Sequence, residues 1–153
     1  TGDTPHPGSG ATWEANGTSY GATVHAGEGK ITVWDLANNA IAAEIETSGP
    51  GLFIRSHHDS PYVWADTMFG DPSNRIYVFD ATTFEVVRVI EEGVQTLHPE
   101  FTADGRFVYV ADWQGDVVRV YDAETFEKVA ELDGVTTPTG IFNTSRRMET
   151  LGH

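Results

Sequence analysis

Cysteine is absent from the 153 residues, which excludes disulfides, thiolate metal sites, a cysteine nucleophile and covalent attachment of a c-type haem within this chain. That absence carries no firm message about compartment. Cations are scarce as well: nine Lys and Arg stand against 23 Asp and Glu, for a formal net charge of −14 with the six histidines neutral. Nucleic-acid binding needs a basic stripe to neutralise phosphates, and so few cations scattered among so many carboxylates do not make one. No apolar run approaches the roughly 20 residues of a membrane span. An initiator Met and a signal peptide are also lacking, and a chain that opens on Thr1-Gly2-Asp3-Thr4-Pro5 is expected to be a segment of something longer. Helical periodicity is missing throughout. What is present is a 39% hydrophobic fraction with eight Phe, five Tyr and four Trp, enough to build a core, so wholesale disorder is not expected.

Internal repetition is the strongest signal. Lys30-Ile31-Thr32-Val33-Trp34-Asp35, Arg75-Ile76-Tyr77-Val78-Phe79-Asp80 and Val117-Val118-Arg119-Val120-Tyr121-Asp122 each alternate apolar and polar positions and end in an aromatic followed by Asp. In the last two copies the match continues through Asp80-Ala81-Thr82-Thr83-Phe84 and Asp122-Ala123-Glu124-Thr125-Phe126. Each copy reads as a strand, an Asp-led turn and a second strand. A further strand precedes each hairpin, at residues 20–25, 62–67 and 107–112. A fourth precedes that one, clearest at Gly51-Leu52-Phe53-Ile54-Arg55, with Glu100-Phe101-Thr102 as counterpart and Asp104-Gly105 as the turn. Four strands per repeat of about 40 to 45 residues is the pattern of a β-propeller blade.

The fold class is therefore all-β: a propeller fragment of three four-stranded blades, at about residues 1–46, 47–91 and 92–133, with closing strands over 134–153. Three repeats do not close a ring of four to eight blades, roughly. Thr137-Pro138-Thr139-Gly140-Ile141-Phe142-Asn143 is expected to begin another blade, and residues 148–151 to form part of its second strand.

Prolines mark the loops that run into the first strands, because a Pro there breaks no ladder bond. His6-Pro7, Gly49-Pro50, His98-Pro99 and Thr137-Pro138 follow the blade period. On that register His6, Gly49, His98 and Thr137 take equivalent places around one mouth of the channel, a candidate site for an anion, a metal or a haem. The alternative is that His-Pro dipeptides simply make good turns. His25 ends a strand, while His57 and His58 sit in a turn and are expected to be solvated. Short-range zinc-ligand spacing is missing. Gly8-Ser9-Gly10 is a turn rather than a nucleophile elbow, and Gly27-Glu28-Gly29 leads into a strand rather than a phosphate-binding helix. Most carboxylates are expected at solvated edges. Arg55, Arg146 and Arg147 are candidates to attract a carboxylate-bearing ligand, against ordinary surface pairing. The tryptophans are assigned to packing between blades, Trp34 and Trp113 first because the repeat fixes their places.

Thr4-Pro5-His6-Pro7-Gly8-Ser9-Gly10-Ala11, Gly51-Leu52-Phe53-Ile54-Arg55-Ser56-His57, His98-Pro99-Glu100-Phe101 and Thr137-Pro138-Thr139-Gly140-Ile141-Phe142-Asn143 together resemble the C-terminal half of the eight-bladed d1-haem propeller. That domain occurs in cytochrome cd1 nitrite reductase and in its relatives in d1-haem biosynthesis. The resemblance implies a non-covalent d1 haem in the channel, its proximal iron ligand upstream of this chain. It assigns His6 to the distal pair that donates protons to nitrite, and Thr137 to a haem contact. His98 stands where the reductase has Gln, and Arg55 is a candidate partner for a haem carboxylate. His98 and the ending Asn143-Thr144-Ser145-Arg146-Arg147 look closer to the biosynthetic relatives, which bind d1 haem or its dihydro precursor; one oxidises that precursor with an attached c-type haem.

The leading expectation is a nitrite reductase-like periplasmic oxidoreductase, with d1-haem biosynthesis as the alternative and a non-enzymatic scaffold propeller as the competitor from another class. Expected partners are d1 haem, nitrite or another small anion, a basic electron-donor protein drawn by the net charge, and a second copy of the full-length chain.

Overall fold

The computed structural model describes residues 3–6 and 9–140. Twelve strands form three four-stranded antiparallel sheets among them. The first sheet holds β1 (Ala11–Ala15), β2 (Thr18–Val24), β3 (Lys30–Asp35) and β4 (Ile41–Glu46), in sequence order. The second holds β5 (Ile54–Arg55), β6 (Tyr62–Asp66), β7 (Arg75–Asp80) and β8 (Val86–Glu91), and the third β9 (Thr96–Phe101), β10 (Phe107–Asp112), β11 (Val117–Asp122) and β12 (Lys128–Leu132). No strand crosses from one sheet to another, as blades built by up-and-down hairpins require.

Burial grades across each blade. The second and third strands are covered on both faces and read as nearly continuous apolar runs, such as Ile76, Tyr77, Val78 and Phe79. The fourth strands are mostly exposed; in β12 every residue is.

The Asp that ends each third strand builds the following turn. Asp80 Oδ1 accepts the N–H groups of Thr82 and Thr83 at 2.8 Å each, and Asp122 Oδ1 those of Glu124 and Thr125 at 3.0 and 2.8 Å. Phe84 and Phe126 then adopt left-handed backbone, φ 62° and 63°. That turns their rings back onto the preceding blade, where Phe84 meets Tyr20 edge-on at 5.1 Å and Phe126 meets Tyr62 at 4.9 Å. The repeated Asp-to-Phe spacing is thus an instruction for docking blades.

Trp13 and Trp64 carry the tryptophan packing between blades. Trp13 donates its indole N–H to the Ala81 carbonyl at 2.8 Å and packs on Phe79, and the fully buried Trp64 packs on Tyr121 and Phe126. Trp34 does not share that role: it is half-buried and lies over Gly21, its neighbour on β2. Trp113 packs on the cluster of Met68, Leu97 and Ala111, which joins the second and third sheets.

The proline register also departs from expectation. Pro99 lies inside β9, where the pairing with β10 shifts between Tyr109 and Ala111. This bulge accommodates an extra residue and a missing N–H. His98 beside it has φ 52°. Gly49 instead packs against the backbone of Gly70 ahead of β5. His98 therefore sits in a first strand whereas Gly49 sits before one, and the two are not equivalent. No strand occurs among the described residues after Leu132; the expected strands beyond residue 140 lie outside the described residues.

Candidate functional site

The segment carrying His6 is pinned by the end of β2. His6 N–H donates to the Val24 carbonyl at 2.9 Å, Ala26 N–H to the Thr4 carbonyl at 2.8 Å, and Pro5 bridges His25. His25 is fully buried with Nε2 at 2.9 Å from Thr32 Oγ1, so it serves this anchoring. Its carbonyl also accepts the Gly51 N–H at 3.0 Å. Gly51 has no alternative residue at that place, because a Cβ would collide with the Asp66 carbonyl.

These anchors bring His6 to Ser9, Leu52 and Phe53. His6 Nδ1 lies 3.0 Å from the Leu52 carbonyl and 2.9 Å from Ser9 Oγ, and Ser9 Oγ donates to the same carbonyl. A carbonyl only accepts, so Nδ1 carries the proton and Nε2 the lone pair. Among the described residues no hydrogen bond involves Nε2, and the ring is half-buried.

Asp66 fixes the segment of Leu52 and Phe53 that leads into β5. Its Oδ1 accepts their N–H groups at 2.8 and 3.3 Å, and Oδ2 accepts the N–H of His98 at 2.9 Å. Complete burial pushes the Asp66 carboxyl up to about 6, against the opposing pull of the N–H groups of His98, Leu52, Phe53 and Met68. Above this carboxyl the rings of Phe53 and His98 stack, with centroids 4.2 Å apart and planes within 6°, and His6 meets Phe53 edge-on at 6.5 Å.

Arg55 closes the cluster. Its Nε donates to Glu100 Oε2 at 3.0 Å, its Nη1 to the carbonyls of Ser9 at 3.2 Å and Ile54 at 2.9 Å, and its Nη2 to His98 Nε2 at 3.1 Å. Both Arg55 and Glu100 are buried. A guanidinium cannot accept, so the last contact leaves His98 Nε2 unprotonated and places its proton on Nδ1.

Of the four residues that the family resemblance picked out, three, His6, Arg55 and His98, converge around Phe53. Thr137 stands apart from that knot: it is exposed and its backbone N–H donates to Asp116 Oδ1 at 2.7 Å, in the β10–β11 turn. Arg146 and Arg147 lie outside the described residues. His58 is exposed as expected, while His57 is half-buried and bonded to the Ala103 carbonyl at 3.2 Å and the Asp59 N–H at 3.1 Å. His57, His58 and Asp59 bring three potential ligands together, two imidazoles and a carboxylate, but both His57 nitrogens are already engaged. Ser9, Asp66 and Glu100 escaped the sequence reading, which treated carboxylates as solvated. The placement of Asp66 at the end of a strand of buried apolar residues, Val63-Trp64-Ala65, was the signal available for one of them.

Fold and site define a propeller segment in which His6, ahead of β1, and His98, in β9, meet the Phe53 ring. The chain belongs to the Cytochrome D1 heme domain family, whose model matches residues 2–147. It is 39% identical over 147 residues to the dihydro-heme d1 dehydrogenase of Pseudomonas aeruginosa, covering 94% of this chain and 30% of that protein. It is 32% identical to Protein NirF of Stutzerimonas stutzeri over 81% of this chain and 31% of that one. The chain therefore spans about a third of the length of these curated relatives. Among solved structures it follows the dihydro-heme d1 dehydrogenase NirN in complex with DHE at a TM-score of 0.91 and 37% identity, over 97% of this chain and 32% of that one. The Kuenenia stuttgartiensis hydrazine synthase shares the fold, with a TM-score of 0.71 at 17% identity, over 91% of this chain and 40% of that one. These relatives favour the biosynthetic alternative over the nitrite-reducing reading that the sequence put first.

Proposed function

We propose that this chain is the C-terminal propeller segment of a d1-haem maturation protein that binds dihydro-haem d1 and takes part in its oxidation. The observation that carries the reading is His6, whose Nε2 is left as a proton acceptor by the bonds at Nδ1, beside the flat Phe53–His98 stack. The support from outside is the likeness to a dehydrogenase of that name, solved with its ligand.

The residues present fit a non-covalent tetrapyrrole. The half-buried Phe53 ring, backed by His98, would offer a flat apolar surface to the ring, the His6 imidazole would hold a polar group at its edge, and the chain has no thiol for covalent attachment. Bound there, the tetrapyrrole supplies the conjugated ring and iron that carry the redox change. Removing two hydrogens from the dihydro substrate releases two protons and two electrons. His6 Nε2 takes up one of these protons as general base, and solvent water takes the other. The two electrons leave one at a time, in two successive transfers to a one-electron acceptor outside this segment, such as a c-type haem. Arg55 is held by Glu100, so a substrate carboxylate would have to compete with an internal one for its remaining hydrogen.

The test supplies the full-length protein with dihydro-haem d1 and an electron acceptor in one vessel, and with haem d1, a reductant and nitrite in another. Conversion of the dihydro substrate without nitric oxide formation is the expected result. Nitric oxide formation without conversion would overturn it. The same reading places the protein in the periplasm, which cell fractionation checks.

A further inference from the structure

We infer that Arg55 and Ser9 are positioning residues for His6, an inference that rests on the reading of His6 as the proton acceptor. The Arg55 guanidinium ties three successive blades with four hydrogen bonds: the Ser9 carbonyl ahead of β1, the Ile54 carbonyl in β5, and Glu100 and His98 in β9. Ser9 is almost wholly buried and committed at every polar atom. Its N–H donates to the His6 carbonyl at 3.4 Å, its carbonyl accepts from Arg55, and its hydroxyl joins His6 Nδ1 to the Leu52 carbonyl. The path Glu100–Arg55–Ser9–His6 thus runs from one first strand to the next and ends on the nitrogen opposite the working one. A rigid fork is required: lysine has the charge but no planar set of donors to reach Ser9, Glu100 and His98 together. Loss of either residue loosens or removes the Ser9 contact and leaves Nδ1 on the Leu52 carbonyl alone, so the imidazole swings about that single bond and Nε2 no longer holds one place.

The experiment uses the full-length protein with Arg55→Lys and Ser9→Ala, each alone and combined with His6→Ala. The first measurement needs no tetrapyrrole: carbethoxylation of His6 by diethyl pyrocarbonate, followed by peptide mass spectrometry with the exposed His58 as internal reference. The loosened ring exposes His6 and raises its rate at least threefold in both variants while His58 is unchanged; an unchanged His6 rate in Ser9→Ala, the milder variant, overturns the inference. The second is the dissociation constant and visible band of bound dihydro-haem d1. Arg55→Lys and Ser9→Ala weaken binding or shift the band in the wild-type background and add nothing in His6→Ala. Equal effects in both backgrounds also overturn it. Failure of the wild-type protein to bind dihydro-haem d1 sinks the functional reading instead, and the carbethoxylation result still decides the positioning.

Discussion

Arg55 and Glu100 occupy the same rung of neighbouring first strands. Arg55 faces Trp64 across its hairpin and Glu100 faces Tyr109, and Trp64 and Tyr109 stand two residues after Tyr62 and Phe107, which pair with the turn-forming Asp80 and Asp122. In the first blade Ala11 holds that rung, opposite Ala22. One repeat position is thus filled by Ala, Arg and Glu in turn, and the last two meet at 3.0 Å as a buried ion pair.

Such a pair is costly to break from one side. Arg55→Met leaves the buried Glu100 carboxylate without its cation and is expected to destabilise the protein by about 3–5 kcal/mol. Adding Glu100→Gln restores at least half of that loss. Denaturant unfolding of the four proteins in the cycle checks both statements.

Asp66 predicts a pH dependence of the opposite sense to the usual carboxylate. Its folded value of about 6 lies above the ordinary 3.8 of an aspartate, because burial disfavours the charge. The native state therefore holds the proton more tightly, and this stability is fully present below about 4 and lost as pH rises through 6. The gap corresponds to about 3 kcal/mol at roughly 1.4 kcal/mol per unit. Unfolding free energies measured from pH 4 to 7 fall over that window in the wild type, and Asp66→Asn removes the fall.

Asp112 predicts the complementary limb. Burial alone would push it up, but the Arg119 guanidinium at 2.7 Å and the N–H groups of Gln95 and Val94 outweigh burial and hold the carboxyl below its usual range. Its contribution is present above the unfolded value and lost as pH falls through the lower folded one. Asp112→Asn flattens the acid side of the stability curve, read by the same unfolding series extended below pH 4.

Trp64 is the largest side chain buried to 0% exposure, and it packs against the third blade through Phe101, Tyr121 and Phe126. Trp64→Ala is expected to cost about 3–5 kcal/mol, while Trp34→Ala, at a half-buried place outside these contacts, costs less. Thermal unfolding of the two variants compares them.

The blades were legible because period-2 alternation and Asp-led turns are local signals, and the three third strands begin and end where the repeat places them. The bulge at His98-Pro99 was not. It adds a residue to one first strand, so proline spacing aligned His98 with Gly49 although the hydrogen-bond register does not. The burial of Asp66 and Glu100 was hidden for a related reason: a carboxylate shows its environment through partners far away in sequence, here His98 for Asp66 and Arg55 for Glu100. The motif singled out His6 in the sequence, whereas the tautomer that leaves Nε2 with the lone pair follows only from the Leu52 carbonyl in the next blade.

The most direct test of the account is an absorption titration of the full-length protein with dihydro-haem d1, beside His6→Ala. The account predicts a saturable band shift at one equivalent in the wild type, and in the variant a bound ligand that is no longer oxidised. A wild-type protein that gives no shift at any ratio would contradict it.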